Sequence, residues 1–86
     1  MPEIKIYTQP GCPYCMRAVA LLESKKIPFT EINAPRGTPE RDEAINLSGG
    51  QTTVPQTLVD GKALGGCDDL MRLERTGQLN GLLGLG

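Results

Sequence analysis

The stretch EIKIYTQPGCPYCMRAVALLESKK, residues 3–26, decides the fold because it joins a strand to a helix through a short turn. Apolar and polar side chains alternate over residues 3–8, which is typical of a β-strand. A turn rich in proline and glycine ends this strand. A helix is predicted over residues 13–26, because proline suits a first helical position and apolar residues recur at helical spacing. Lys25 and Lys26 are expected in its last turn, where cations favour the helix dipole.

Similar patterns over the rest of the chain predict the element order β-α-β-α-β-β-α. The further elements are a strand over 29–33, a helix over 38–48, strands over 57–60 and 62–64, a helix over 67–76 and a last helical turn at 79–83. A strand–helix–strand start implies a parallel pair with a right-handed crossover, and Asp60-Gly61 is a hairpin-turn pair that adds antiparallel strands. We therefore predict an α/β fold, in which a four-stranded mixed sheet is flanked on both faces by three main helices.

Length and charge exclude several classes of function. The 86 residues predict a single domain over residues 1–86. A net charge of -1 leaves no basic surface for a polyanion, so nucleic acid is not an expected partner. No apolar run approaches the ~20 residues of a membrane span, and Glu3 and Lys5 interrupt the first apolar stretch where a signal peptide needs a continuous core. We therefore expect no membrane contact and a cytoplasmic location.

The 3 cysteines and 0 histidines narrow the chemistry further. An odd cysteine count argues against a secreted disulfide framework. A structural zinc site needs four Cys or His ligands, which one chain cannot supply here, so no metal is expected. The pair Cys12 and Cys15, three residues apart, therefore carries the candidate chemistry.

Cys12 and Cys15 fall where the first strand meets the first helix. If Pro13 is the first helical residue, Cys12 occupies the N-cap, and its sulfur meets unpaired N–H groups and the positive end of the helix dipole. Those groups stabilise a thiolate, so Cys12 is predicted to be the nucleophile. Cys15 lies one turn further, within disulfide distance, and is predicted to be the resolving thiol. The alternative, two cysteines that only pack, is disfavoured by the strand–turn–helix setting.

Three motifs carry a resemblance to a known family. They are Cys12-Pro13-Tyr14-Cys15, Thr53-Val54-Pro55 and Gly65-Gly66-Cys67-Asp68-Asp69, with Tyr7-Thr8 ahead of the first. In this order and spacing they resemble the signatures of the dithiol glutaredoxins of the small bacterial, CPYC type, and the resemblance covers nearly the whole chain. It implies a thioredoxin-like fold with Pro55 in a cis peptide bond, and a glutathione-dependent thiol–disulfide oxidoreductase.

The resemblance also implies a glutathione site. The residues expected to bind glutathione are Cys12, Pro13, Tyr14, Thr53, Val54, Pro55, Gly66, Cys67 and Asp68. The backbone of Val54 is expected to pair with the cysteinyl part of glutathione, as an added strand does. Gly66 and Cys67 open a helix, so their N–H groups are expected to hold a carboxylate, and Asp68 is expected to accept from the glutathione ammonium.

Two residues of the third motif have more modest interpretations. Asp69 is expected to be an ordinary first-turn acid that favours the helix dipole. Cys67 is expected to matter through its N–H group, as a small residue that packs. The alternative for Cys67 is a secondary thiol near the glutathione site, prone to glutathionylation or to dimer formation.

The chain departs from the family at two positions. Many relatives place a lysine three residues before the first active-site cysteine and a basic residue shortly before Thr-Val-Pro, where this chain has Gln9 and Gln51. In those relatives the cations meet the glycine carboxylate of glutathione, whereas an amide donates hydrogen bonds without charge. The sequence therefore predicts weaker and less salt-dependent glutathione binding than in lysine-bearing relatives.

The leading hypothesis is an enzyme that reduces protein disulfides and protein–glutathione mixed disulfides, with glutathione as the reducing co-substrate. Its expected partners are disulfide-containing or glutathionylated proteins, and a monomer is expected. One alternative is a dimer that carries a [2Fe–2S] cluster through Cys12 and glutathione; Pro13 and Cys15 disfavour it, because such relatives mostly have a Cys-Gly-Phe-Ser site. Another is an electron donor recycled by thioredoxin reductase, which the Gly66-Cys67-Asp68 segment disfavours.

Overall fold

The computed structural model describes residues 2–85. Its elements are β1 (Ile4–Thr8), α1 (Pro13–Ser24), β2 (Thr30–Asn33), α2 (Pro39–Leu47), β3 (Gln56–Val59), β4 (Lys62–Gly65), α3 (Cys67–Arg75) and α4 (Leu79–Leu82). This order is the predicted one, with α4 as a short helical turn after α3. The predicted domain limits fall on Met1 and Gly86, which lie outside the described residues.

The four strands form one mixed sheet in the order β2-β1-β3-β4. β1 pairs with β2 in parallel and with β3 antiparallel, and β4 pairs antiparallel with β3. Asp60 and Gly61 have φ angles of 50° and 81°, which is the backbone of a two-residue hairpin turn that follows the strand twist. The predicted α/β architecture is confirmed, and β2 forms one edge of the sheet.

Two apolar clusters cover the two faces of the sheet. Alternation along β1 sends Ile4 and Ile6 to one face and Tyr7 to the other. The larger cluster adds side chains from α1, α3 and the α4 region, namely Ala18, Leu22, Leu70, Leu79 and Leu83. The smaller cluster packs Tyr7 against α2 through Ala44. The turn between β1 and α1, residues 9–12, therefore begins between two packed layers. Within residues 2–85, no helix has the length and apolar character needed to cross a membrane.

The first helix ends earlier than the sequence predicts. α1 stops at Ser24, Lys25 forms its C-cap and Lys26 has a φ of 56°, so neither lysine lies in the last turn. Lys25 instead reaches α3, where its Nζ donates to Glu74 Oε1 at 2.6 Å. The pattern missed this end because the left-handed residue that turns the chain is a lysine, whereas glycine is the usual indicator of such a turn.

Candidate active site

The structure places Cys12 at the N-cap of α1, with Pro13 as the first helical residue. The Cys12 backbone is extended, with φ -98° and ψ 109°, and its Sγ accepts from the Cys15 N–H at 3.3 Å. An N-cap side chain that accepts from the third helical N–H satisfies one of the donors that the helix start leaves unpaired. The sulfur therefore sits where a developing negative charge meets backbone donors and the positive end of the helix dipole.

Cys15 lies one turn along α1 and is buried, with 3% of its surface exposed. Burial, together with the hydrogen bond to Cys12, raises its pKa to about 12, against smaller lowering effects of the Gln9 backbone and Arg41. A neutral thiol is therefore the resting form of Cys15 at pH 7. The two thiols are adjacent but differ in accessibility, since Cys12 is only half-buried.

A cavity of about 310 Å³ opens beside the first thiol. Its lining residues are Tyr14, Gln51, Thr53, Val54, Pro55, Gly66, Cys67, Asp68 and Asp69. The Val54–Pro55 peptide bond is cis, as the family resemblance implies. The Val54 carbonyl oxygen lies 4.0 Å from Cys12 Sγ. The structure thus brings the second and third motifs together at one cavity, and that cavity meets the Cys12 sulfur at Val54.

The start of α3 differs in one detail from the expected anion site. Asp69 Oδ2 accepts from the Gly66 N–H at 3.1 Å, so this N–H is not free to hold a carboxylate. The N–H groups of Cys67 and Asp68 have no intrahelical acceptor, as first-turn groups never do. Gly65 precedes them with a φ of 100°, and a side chain there would overlap the Asp69 carboxylate. Asp69 therefore caps α3 by reaching back, a more specific role than an ordinary first-turn acid.

Cys67 and Asp68 present different groups to the cavity. The Cys67 side chain is buried, and burial raises the pKa of its thiol, with Asp68 raising it further against an opposing effect of Arg17. Asp68 is exposed. Of the two interpretations of Cys67, the buried and protonated thiol favours the one in which its N–H group matters.

Arg41, in the first turn of α2, is a residue that the sequence analysis missed. Only 4% of it is exposed. Its guanidinium donates to the carbonyl oxygens of Ala34 at 2.8 Å and Thr52 at 2.9 and 3.3 Å, and to Gln9 Oε1 at 2.9 Å. Among the described residues, no carboxylate forms an ion pair with it. The one indication in the sequence is a cation in a first helical turn, where acids are favoured.

The position of Arg41 changes the interpretation of Gln9. Gln9 itself carries no charge, as the sequence shows, but its Oε1 accepts a hydrogen bond from Arg41 Nη1 at 2.9 Å, so a cation lies beside it. The positive charge comes from α2 instead of the active-site turn. Gln51, the second position without a basic residue, lines the cavity itself.

Gln56, the first residue of β3, fixes the loop before that strand at the residue after Thr52, which Arg41 contacts. Its side chain is fully buried, and Nε2 donates to the Thr53 carbonyl oxygen at 3.1 Å. The strand begins here, one residue before the predicted start, because Gln56 pairs with Tyr7 of β1. Two buried side chains, from α2 and β3, therefore fix the carbonyl oxygens of Thr52 and Thr53.

Tyr14 lines the cavity, and Arg17 lies against its ring. Tyr14 is 56% exposed, and the Arg17 guanidinium carbon lies 5.9 Å from the centre of its ring, which is within cation–π range. Within residues 2–85, no group of three or more His, Cys, Asp or Glu side chains is arranged to hold a metal ion. The absence of a metal from the reaction stays a prediction.

A cap cysteine beside an open cavity, backed by a buried second thiol, defines a thiol–disulfide oxidoreductase of the CxxC type. Comparisons with known proteins point to one family. A family model described as Glutaredoxin matches residues 4–64. Glutaredoxin 3 of Escherichia coli K12 is 47% identical over 83 residues, which are 96% of this chain and 99% of that protein. The chain therefore belongs to the glutaredoxin family and is a glutathione-dependent thiol–disulfide oxidoreductase.

Solved structures support the same conclusion. The solution structure of glutaredoxin from Brucella melitensis matches with a TM-score of 0.83 at 48% identity, covering 100% of this chain and 92% of that one. This confirms the thioredoxin-like fold. A crystal structure of a buckwheat glutaredoxin–glutathione complex matches with a TM-score of 0.83 at 26% identity, covering 96% of this chain and 77% of that one.

Proposed function

We propose that the protein reduces protein–glutathione mixed disulfides and protein disulfides through Cys12 as the nucleophile. The observation that carries this proposal is the position of Cys12 Sγ. This sulfur accepts a hydrogen bond from the Cys15 N–H and lies 4.0 Å from the carbonyl oxygen of Val54, which lines the cavity. A thiolate at a helix N-terminus is stabilised by backbone donors. The sulfur is thus placed to attack a disulfide whose glutathione half occupies the cavity.

The mixed-disulfide reaction needs only Cys12. Its thiolate bonds to the glutathione sulfur, the substrate S–S bond breaks, and the substrate cysteine leaves as a thiolate that takes up a proton. A second glutathione, as thiolate, then attacks the glutathione sulfur and leaves oxidised glutathione and the Cys12 thiolate.

Reduction of a protein disulfide also needs Cys15. Cys12 attacks one substrate sulfur, and the other leaves as a thiolate. Cys15 then loses its proton and attacks Cys12 Sγ, which forms the Cys12–Cys15 disulfide and releases the second substrate thiolate. Two glutathione molecules reduce this disulfide and become oxidised glutathione. Burial of the Cys15 thiol favours its protonated form, which keeps it out of the first step.

The glutathione is proposed to lie along the cavity beside Cys12 and Pro13. Val54 supplies backbone groups to its cysteinyl part, Thr53 and Pro55 shape the same loop, and Tyr14 flanks it. The crystal structure of the buckwheat relative is a complex with glutathione, which supports a glutathione site in this chain. The cavity residues of this chain have the size and polarity for such a tripeptide.

The two ends of glutathione meet different charges in this proposal. The N–H groups of Cys67 and Asp68 hold the γ-glutamyl carboxylate at the start of α3, and the Asp68 carboxylate accepts from the ammonium. The Gly66 N–H already donates to Asp69. Gly66 is therefore proposed to contribute only by having no side chain, which lets glutathione come close to the backbone. At the other end, the uncompensated charge of Arg41 attracts the glycine carboxylate, as the lysine of relatives does.

Three further proposals complete the function. The described fold acts as one domain, because both apolar clusters share one sheet. It acts as a monomer on disulfide-containing or glutathionylated proteins, and it works in the cytoplasm, where thiols stay reduced.

Activity of the thiol variants tests the proposal. The substrates are a small glutathione mixed disulfide and a protein disulfide, with glutathione and glutathione reductase as the recycling system. We expect Cys12→Ser to be inactive on both, and Cys15→Ser to keep mixed-disulfide activity but lose protein-disulfide activity. An active Cys12→Ser variant contradicts the proposal. So does parent protein that turns over with thioredoxin reductase but not with glutathione.

A further inference from the structure

A second cavity, of about 220 Å³, is lined in part by Cys15 and shares no lining residue with the cavity beside Cys12 that is proposed to hold glutathione. We call it the outer groove. Its lining residues include Thr8, Pro10, Cys15, Met16, Val19 and Glu31. It therefore lies between the turn of residues 9–11, the first turns of α1 and the edge strand β2, and it reaches the Cys15 thiol.

The register of the sheet explains how Glu31 reaches this groove. Glu31 of β2 is paired with Ile6 of β1, and paired residues share a face, so its side chain lies on the side covered by α1. Its Oε2 accepts from Thr8 Oγ1 at 2.8 Å. This bond holds the carboxylate at the open edge of the sheet, beside the active-site turn.

Charge and polarity in the outer groove are unequally distributed. Met16 is 69% exposed and offers an apolar wall. Glu31 is the one charged residue of the lining. Among the described residues it takes part in no ion pair. The groove thus combines an apolar surface and an unpaired negative charge with the Cys15 thiol in one lining.

We propose that the outer groove receives the polypeptide of a glutathionylated protein substrate and favours a basic residue beside the substrate cysteine. This rests on the proposed function, in which the glutathione half fills the other cavity. When Cys12 attacks the glutathione sulfur, the polypeptide is on the departing side of the S–S bond. A lysine or arginine there pairs with Glu31, while its aliphatic stem packs on Met16.

The test uses two glutathionylated peptides that differ only in a Lys or a Glu next to the cysteine. At low ionic strength, we expect the parent to prefer the Lys peptide by at least about threefold in kcat/KM, the size of a rim ion pair. Glu31→Gln keeps an acceptor for Thr8 and removes the charge, so it abolishes the preference. Glu31→Lys reverses it. Met16→Ala lowers kcat/KM for both peptides.

Matched controls separate this proposal from the proposed function. Glu23→Gln, an exposed acid of α1, and Leu47→Ala, an exposed apolar residue of α2, keep the parental values. A small glutathione mixed disulfide, which has no polypeptide, reacts equally with all groove variants. If the parent is inactive on this small substrate, the proposed function fails. If it is active but shows no peptide preference, or Glu31→Gln keeps that preference, the outer groove proposal alone is overturned.

Discussion

The two active-site thiols are close in sequence but differ in burial, because Cys15 is buried and Cys12 is half-buried. Cys12 and Cys15 are both in the first turn region of α1, yet one caps the helix and the other faces the core. The sequence predicted this arrangement because it is local: a proline at the first helical position fixes which cysteine is the cap. That difference supports the proposed roles of Cys12 as the nucleophile and of Cys15 as the resolving thiol.

Two buried groups that are neutral at pH 7, the Cys15 thiol and the Tyr7 hydroxyl, make the folding stability fall at alkaline pH. Burial raises the pKa of Cys15 from 9.0 to about 12, and burial together with Glu43 raises that of Tyr7 from 10.0 to about 12. Both groups ionise more readily when unfolded. Their stabilisation is therefore fully present below pH 9 to 10 and is lost as pH rises toward 12, at about 1.4 kcal/mol per pH unit for each group.

Urea unfolding of the reduced protein at increasing pH checks this prediction. The free energy of unfolding of the parent is expected to decline above pH 9. Cys15→Ser is expected to remove about 1.4 kcal/mol per pH unit from this decline. Tyr7→Phe is expected to remove the part of the decline that begins above pH 10. A decline of unchanged slope in the Cys15→Ser variant is the contrary result.

Arg41 shows what sequence reasoning misses at this scale. Its three acceptor residues, Gln9, Ala34 and Thr52, come from three separate loops, so no local pattern predicts their meeting. Arg41→Met leaves buried acceptors without donors, and we expect a loss of about 3 kcal/mol or more in the free energy of unfolding. We also expect a higher KM for glutathione with less salt dependence.

The conservative variant separates charge from packing at this position. Arg41→Lys restores charge but not the several hydrogen bonds, so it should recover much of the KM and its salt dependence while staying less stable than the parent. Steady-state kinetics at two ionic strengths and urea unfolding measure the two effects. A KM unchanged in Arg41→Met would show that this guanidinium has no part in binding.

At the scale of elements, the start of α3 assigns different tasks to neighbouring acids. Asp69 accepts from the Gly66 N–H and pairs with Arg72 at 2.7 Å, whereas Asp68 is exposed beside the cavity. The sequence predicted the helix and its acidic first turn. It could not predict the bond from Asp69, because which acid reaches back depends on the cap backbone of Gly65-Gly66.

Paired variants test this division. Asp69→Ala is expected to lower the free energy of unfolding by about 1 kcal/mol, the usual cost of losing a cap, with a small effect on glutathione KM. Asp68→Asn is expected to raise that KM about tenfold, the scale of a charge-assisted hydrogen bond, with stability unchanged. Chemical denaturation and glutathione titration of both variants provide the measurement. Equal effects of the two variants on KM would refute the assignment.

At the scale of the whole molecule, the sheet order explains why distant motifs meet. β1 lies between β2 and β3, so the active-site turn after β1 sits beside the loop before β3. Alternating patterns and turn residues were sufficient to predict the four strands and their mixed arrangement. They did not predict the two cavities flanking the thiols, because these form between elements far apart in sequence.

The central claim is that Cys12 attacks the glutathione sulfur and that Cys15 takes no part in this step. The most direct measurement is the mass of the intermediate that Cys15→Ser forms with a glutathionylated peptide, with the modified residue located by peptide mapping. The account predicts one glutathione on Cys12, none on Cys67, and release of the peptide as a thiol. An adduct that carries the peptide, or glutathione attached to Cys67 in place of Cys12, would contradict it.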